Sequence, residues 1–178
     1  MPHQPLTVIS FVLGVAVCLC TLAARAARGA DAPVVPAKIG KSETIHLFNG
    51  HNLDGWQGHE KYWSVVDGVI VGKNTEPVKV STYLLTKRPF SDFRLLATVK
   101  LVTSEMHSGI AMWGHIAPDH GDPFTYAGHL VMFPSGWGMY DLYGRQGALG
   151  VDAAPAKKVG KQHDWNELEI LAQGNRVR

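Results

Sequence analysis

The sequence predicts an all-β fold in which two antiparallel sheets pack face to face, and three observations carry that prediction. After residue 43, short segments rich in Val, Ile, Leu, Tyr and Phe alternate with clusters of Gly, Pro, Asp and Asn, the spacing of many short strands. No segment keeps a helical period over three turns. Where a segment is long enough to test, its apolar residues fall on alternate positions. In 92–101 the odd positions Phe93, Leu95, Ala97, Val99 and Leu101 are apolar, while Arg94, Thr98 and Lys100 fall on the other side. Strands with one apolar face each bury it most simply by forming two packed sheets.

Residues 6–24 form an uncharged apolar run of 19 residues, followed by Ala24 and Ala26 at the −3 and −1 spacing of a signal peptidase site. Residues 1–30 therefore read as a secretory signal, which predicts a periplasmic or extracellular protein. No Lys or Arg precedes the run, and its length would also span a bilayer as an uncleaved anchor. Residues 31–43, with Pro33 and Pro36, read as a polar linker. The domain follows from 44 to 178, with strands expected at 44–48, 63–66, 69–71, 82–86, 93–102, 109–115, 129–133, 138–143 and 166–172. Asp67 and Gly68 between two apolar runs predict a hairpin, because a type I′ turn needs positive φ at both central residues. In 166–172, Leu168, Ile170 and Ala172 share one face.

The charge balance excludes several functions. Of 17 basic and 15 acidic residues, Arg25 and Arg28 lie in the signal, so the mature part is neutral and its positive charges are scattered. That does not predict a nucleic-acid partner. Both cysteines, Cys18 and Cys20, also lie in the signal, so the domain has neither a disulfide nor a thiolate zinc site to lean on. No phosphate loop, nucleophile elbow or nucleotide fingerprint is present.

Five stretches, LFNGHNLDGW (47–56), Trp63 with VVDGVIVG (65–72), YLLTKRPFSDFRL (83–95), HSGIAMWG (107–114) and DWNELEILAQGN (164–175), closely resemble the secreted 3-keto-disaccharide hydrolase domain family. The resemblance implies a concanavalin A-like jelly roll and cleavage of glycosidic bonds in 3-keto-glycosides. The family commonly has Asn where this chain has His107. With Gly128 aligned to a family glycine, Leu130 and Met132 occupy positions that are acidic and amide in the family, while Tyr143 and Gly144 match its downstream pair. His129 or Asp141 would then stand in for the missing polar groups. The family's domain normally continues for a few strands beyond the position of Asn175, which implies that this chain, ending at Arg178, lacks its last strands.

Ordinary glycosidases need two carboxylates ~5–10 Å apart, and among Asp92, Glu105, Asp119, Asp122 and Asp141 no two sit at two-residue spacing on a predicted strand. A 3-keto sugar needs less, because the C3 ketone acidifies the C2 hydrogen and one base can start an elimination. Asp141, flanked by Tyr140 and Tyr143 and followed by Arg145, is a candidate base; it reads equally as a solvent-facing residue or a partner of Arg145. His129, inside an apolar strand, is the second candidate, with a satisfied structural histidine as its plainer reading. Trp113, Tyr126, Trp137 and Tyr143 offer sugar-stacking rings, and Arg145 a polar contact. His115, Asp119, His120 and Asp122 are weak candidate ligands for a divalent metal that could stabilise an enolate, although PDHGD (118–122) reads most simply as a solvated turn. A non-catalytic carbohydrate-binding module is the alternative to an enzyme, favoured by the apolar Leu130 and Met132.

Overall fold

Phe93 to Val99 (β5) and Asn166 to Gln173 (β10) pair antiparallel along their length, from Phe93 opposite Ala172 to Val99 opposite Asn166. The computed structural model describes residues 33–103, 108–133, 138–143, 146–147, 152 and 154–178. Strand β11 (Arg176–Val177) returns on β10 through a turn at Gly174, whose φ of +56° is one that glycine tolerates best. Opposite this three-stranded sheet stands a four-stranded one, ordered β6 (Gly109–Ile116), β7 (Tyr126–Met132), β8 (Met139–Asp141) and β9 (Gln146–Gly147). Two hairpin-sized sheets complete the set: β1 (Trp56–Gln57) with β4 (Leu85–Thr86), and β2 (Trp63–Val66) with β3 (Val69–Gly72). A jelly-roll sandwich, nearly all β and antiparallel, is the result.

The core lies where alternation predicts. Ile170 and Ala172 from β10, with Leu168, Phe93 and Leu95 beside them, meet Ile110, Met112 and Val131 from the other sheet. Glu167 and Glu169 on the opposite face of β10 stay exposed, and Glu169 Oε1 accepts from Arg94 Nε at 2.8 Å across the ladder. Between β2 and β3 the turn residues Asp67 (φ 49°) and Gly68 (φ 75°) both have positive φ, as a two-residue type I′ turn requires.

Several sequence expectations are revised, among them the strand expected at 82–86, of which only Leu85–Thr86 forms. Residues 44–48 form no strand; the chain there is held from the side, Trp56 Nε1 donating to Leu47 O at 2.8 Å, before Asn49 closes a loop by accepting from the amides of His51 and Asn52. Strand β7 begins at Tyr126, because Gly128 does not break it but lets the neighbouring strand approach. A short helix, α1 (Ala154–Val159), follows Asp152, whose carboxylate accepts from Ala154 N at 2.9 Å; six residues are too few to leave a helical period in the sequence. The short edge strands β9 and β11 also lack a pattern long enough to read.

Part of the stretch read as linker is tied to the body. Val35 N donates to Asn175 Oδ1 at 3.0 Å, and the Asp92 carboxylate takes Lys38 N at 2.6 Å and Gly174 N at 2.7 Å. Those two backbone donors hold the Asp92 carboxyl below the usual carboxylate range.

Candidate functional site

Strand pairing sets the two candidate bases against each other. His129 on β7 stands directly opposite Asp141 on β8, which places their Cβ atoms ~4.5–5.5 Å apart on one face of the sheet. Leu142 N donates to Gly128 O at 2.8 Å and continues the ladder past Asp141. Asp141 Oδ1 accepts from Tyr143 N at 2.9 Å, so the chain folds back and brings the Tyr143 ring to the same place. Tyr143 meets His129 edge-on at 6.0 Å between ring centroids, and lies 6.1 Å from the ring of His115.

A bulge in β6 supplies the remaining wall. Met112 pairs with His129 and His115 with Ala127, so Trp113 and Gly114 together oppose Gly128 alone. Trp113 adopts a φ of +50° there, an uncommon value for a bulky residue. Its ring stands edge-on to His129 at 6.4 Å, and its Nε1 donates to Ser91 O at 3.3 Å. The close approach needs glycines: a Cβ on Gly114 would lie 1.8 Å from Ala127 O, and one on Gly128 2.7 Å from Met112 O.

Within this enclosure His129 Nδ1 is buried and has no hydrogen-bond partner among the described residues. A buried nitrogen in that condition is uncommon in a folded protein. The face matters too. Leu130 and Met132, buried at 2% and 9% exposure, lie on the opposite side of β7, where Tyr140 pairs with Leu130. His129 and Asp141 therefore do not replace the polar groups on the Leu130 face; they form a separate pair on the other.

Of the other predicted site residues, Tyr126 lies on the opposite face of β7 from His129. It shares a face with Gly128 and Leu130, lines a cleft with Tyr83, and has its hydroxyl bonded to the Gly114 backbone. Burial raises its pKa above the ordinary tyrosine value. Trp137, Arg145 and His107 lie outside the described residues.

His115, Asp119, His120 and Asp122 do not converge, and among the described residues no three His, Cys, Asp or Glu side chains are grouped to hold a metal ion. His120 (φ 48°) and Gly121 (φ 80°) instead form a two-residue hairpin closed by Asp119 and Asp122, whose N–H and C=O groups exchange two backbone bonds. Asp119 Oδ1 meets His120 Nδ1 at 2.8 Å, out at the tip.

Asp122 is engaged elsewhere, in a contact that sequence reasoning missed. Its carboxylate takes His59 Nε2 at 3.0 Å, Thr82 Oγ1 at 3.2 Å and Phe124 N at 2.8 Å, joining three segments. His59 is gripped edge-on by Phe124 at 4.8 Å and Tyr62 at 5.6 Å. Burial alone would raise the Asp122 carboxyl, but the bonds from Phe124, His59 and Thr82 outweigh it and hold its pKa below the ordinary value. A depressed carboxylate stabilises the fold above its unfolded pKa of about 3.9 and loses that contribution as pH falls through the lower folded value. Asp122→Ala should therefore cost about 2 kcal/mol at pH 7, and the gap to wild type in denaturant titrations should narrow at pH 3. A gap unchanged at pH 3 would mean that the ionised form is not what the contacts favour.

Comparison with protein families places residues 43–178 within the 3-keto-alpha-glucoside-1,2-lyase-like domain. The chain belongs to this family. The match spans the whole sandwich, from the segment before Trp56 to the β10–β11 hairpin, and agrees with the resemblance carried by the five sequence stretches. The 3-keto-alpha-glucoside-1,2-lyase-like domain is a carbohydrate-active family, and this chain shares its fold. No curated protein and no solved structure matches the chain.

Proposed function

We propose that this protein is an exported enzyme that cleaves the glycosidic bond of 3-keto-glycosides by elimination followed by hydration, with His129 as base. The observation that carries this reading is the buried Nδ1 of His129, without a hydrogen-bond partner among the described residues, set opposite Asp141 and walled by Trp113 and Tyr143. His129 takes the C2 hydrogen of the sugar as a proton, and the electron pair it leaves moves onto the C3 ketone oxygen as an enolate. The pair then returns and expels the glycosidic oxygen from C1, which leaves with the proton that His129 carries. The collapse re-forms the C3 ketone, and water then adds across the resulting C1–C2 double bond, hydroxyl to C1 and proton to C2, to give the saturated 3-keto sugar. Asp141 holds the charge that His129 gains during the first step. Trp113 and Tyr143 present ring edges and faces to the C–H side of the pyranose. Export follows from residues 1–30 acting as a signal, which puts the enzyme in the periplasm or outside the cell; no helix among the described residues is long and apolar enough to cross a membrane.

His129→Ala should lower turnover of a 3-keto-disaccharide by about 100- to 10,000-fold, and Asp141→Asn by less. Turnover that survives both substitutions would remove the pair from the chemistry. The second reading, a non-catalytic carbohydrate-binding module, is favoured by Leu130 and Met132, which bury apolar surface where the family is polar. Sugar binding by wild type with no turnover of the keto sugar would establish it.

A further inference from the structure

We infer that the cleft between residues 34–37 and the β10–β11 hairpin is a binding site for a tetrahedral oxyanion ester, a phosphate or sulfate group carrying an apolar substituent. Strand register brings the recognising side chains together. Gln173 stands opposite Arg176, and Leu171 exchanges two backbone hydrogen bonds of 2.9 Å with Arg178, so these four side chains share one face of the hairpin. That face is the outer one, because Ile170 and Ala172 on the alternate positions of β10 point into the core. Arg176 and Arg178 lie two residues apart along the chain, which sets their side chains out ~6.6 Å from each other on the same side. Both are exposed, and among the described residues neither forms an ion pair.

Residues 34–37 form the other wall, and it is held without a ligand. Val35 N donates to Asn175 Oδ1 at 3.0 Å, and the Asp92 carboxylate ties both sides at once through Lys38 N and Gly174 N. Gly174 permits the approach, since a Cβ there would lie 1.8 Å from Val35 O. A preformed cleft avoids the cost of ordering a loop when the ligand arrives. Size and charge select the class. The cleft has a volume of about 180 Å³, below the ~300–1,000 Å³ of ordinary ligand pockets, so it suits one small group. Arg176 and Arg178 line it, and among the described residues no acidic side chain does. Guanidinium forks match the oxygens of a phosphate or sulfate bidentately. Gln173 adds an amide donor, while Val34, Pro36 and Leu171 offer apolar surface to the substituent. The lining comes from residues 34–37 and the hairpin, with nothing from β7 and β8, where His129 and Asp141 stand.

The test uses the full chain, isotopically labelled, in buffer at pH 7.5. Phenyl phosphate and phenyl sulfate are the probes, inorganic phosphate lacks the apolar substituent, and sodium chloride at matched ionic strength controls for screening. Phenyl phosphate or phenyl sulfate should shift the amide signals of Val35, Gln173, Arg176 and Arg178 saturably, with millimolar affinity; the tighter of the two names the preferred oxyanion. Inorganic phosphate should bind several-fold more weakly than phenyl phosphate, for want of contact with the apolar wall. Arg176→Gln combined with Arg178→Gln should weaken the preferred ester at least roughly tenfold. Lys157→Gln, which removes a positive charge from exposed α1, should leave its affinity unchanged. Signals that move no further with about 50 mM of either ester than with the salt control, well above millimolar affinity, would overturn the inference. So would an affinity that survives the double substitution, falls equally in Lys157→Gln, or is matched by inorganic phosphate. Because turnover is not read, these outcomes stand whether or not the protein is an enzyme.

Discussion

Ile170→Ala is expected to lower the unfolding midpoint by about 10 °C. Ile170 is 1% exposed, and its neighbour two positions on, Ala172, is fully buried. The side chain sits where the two sheets meet, with Met112, Ile110 and Val131 on the facing sheet and Phe93, Leu95 and Leu168 on its own. Removing three carbons there loses their transfer free energy and leaves a cavity that short, hydrogen-bonded strands cannot collapse around. Ile→Ala at such sites costs about 3–4 kcal/mol, and each kcal/mol is worth about 2–4 °C for a chain of this size. Leu96→Ala is the control: it lies on the neighbouring strand but is 65% exposed, and its loss should stay within about 0.5 kcal/mol. Equal losses for the two, measured by thermal unfolding, would mean that the sheets do not pack as described.

Gly114→Ala should cost about 3 kcal/mol and also disturb the candidate site. The new Cβ would stand 1.8 Å from Ala127 O and 2.7 Å from Gly128 Cα, both backbone atoms of the paired strand, so no side-chain rotation relieves the clash. Strands β6 and β7 must part at the bulge. Trp113, whose left-handed backbone depends on that bulge, then loses its bond to Ser91 O and its contact with His129. The expected result is a lower midpoint together with a shifted Trp113 indole signal and reduced turnover of a 3-keto-disaccharide. Gly147→Ala, where an added Cβ meets nothing within 4 Å among the described residues, should change neither stability nor turnover. A Gly114→Ala protein with wild-type stability would show that the close β6–β7 approach is not required.

The metal candidates show why spacing along the chain is a poor guide to a site. His115, Asp119, His120 and Asp122 crowd within eight residues of sequence, yet the type I′ turn at His120 and Gly121 sends them to different partners. Asp122 is claimed by His59 and Thr82, which are 63 and 40 residues away and carry no local signal of the contact. The pairing of His129 with Asp141 had a partial signal, two polar residues within adjacent apolar runs. That they stand opposite each other depends on the register between β7 and β8. A shift of one residue would have put Asp141 on the other face.

Periodicity alone determined the class, the core face of β5 and β10, and the Asp67–Gly68 hairpin, because each depends on alternation or turn chemistry within a few residues. The sequence also carried the family, through five motifs in order. Only the tertiary structure decided that Trp113 sits on a bulge against His129, that Tyr126 lies on the opposite face of β7 from His129, and that Leu130 and Met132 lie on the face away from the candidate bases. Those facts depend on how one strand is slid and bulged against the next, a sum of backbone contacts between residues far apart in the chain, which no local pattern encodes.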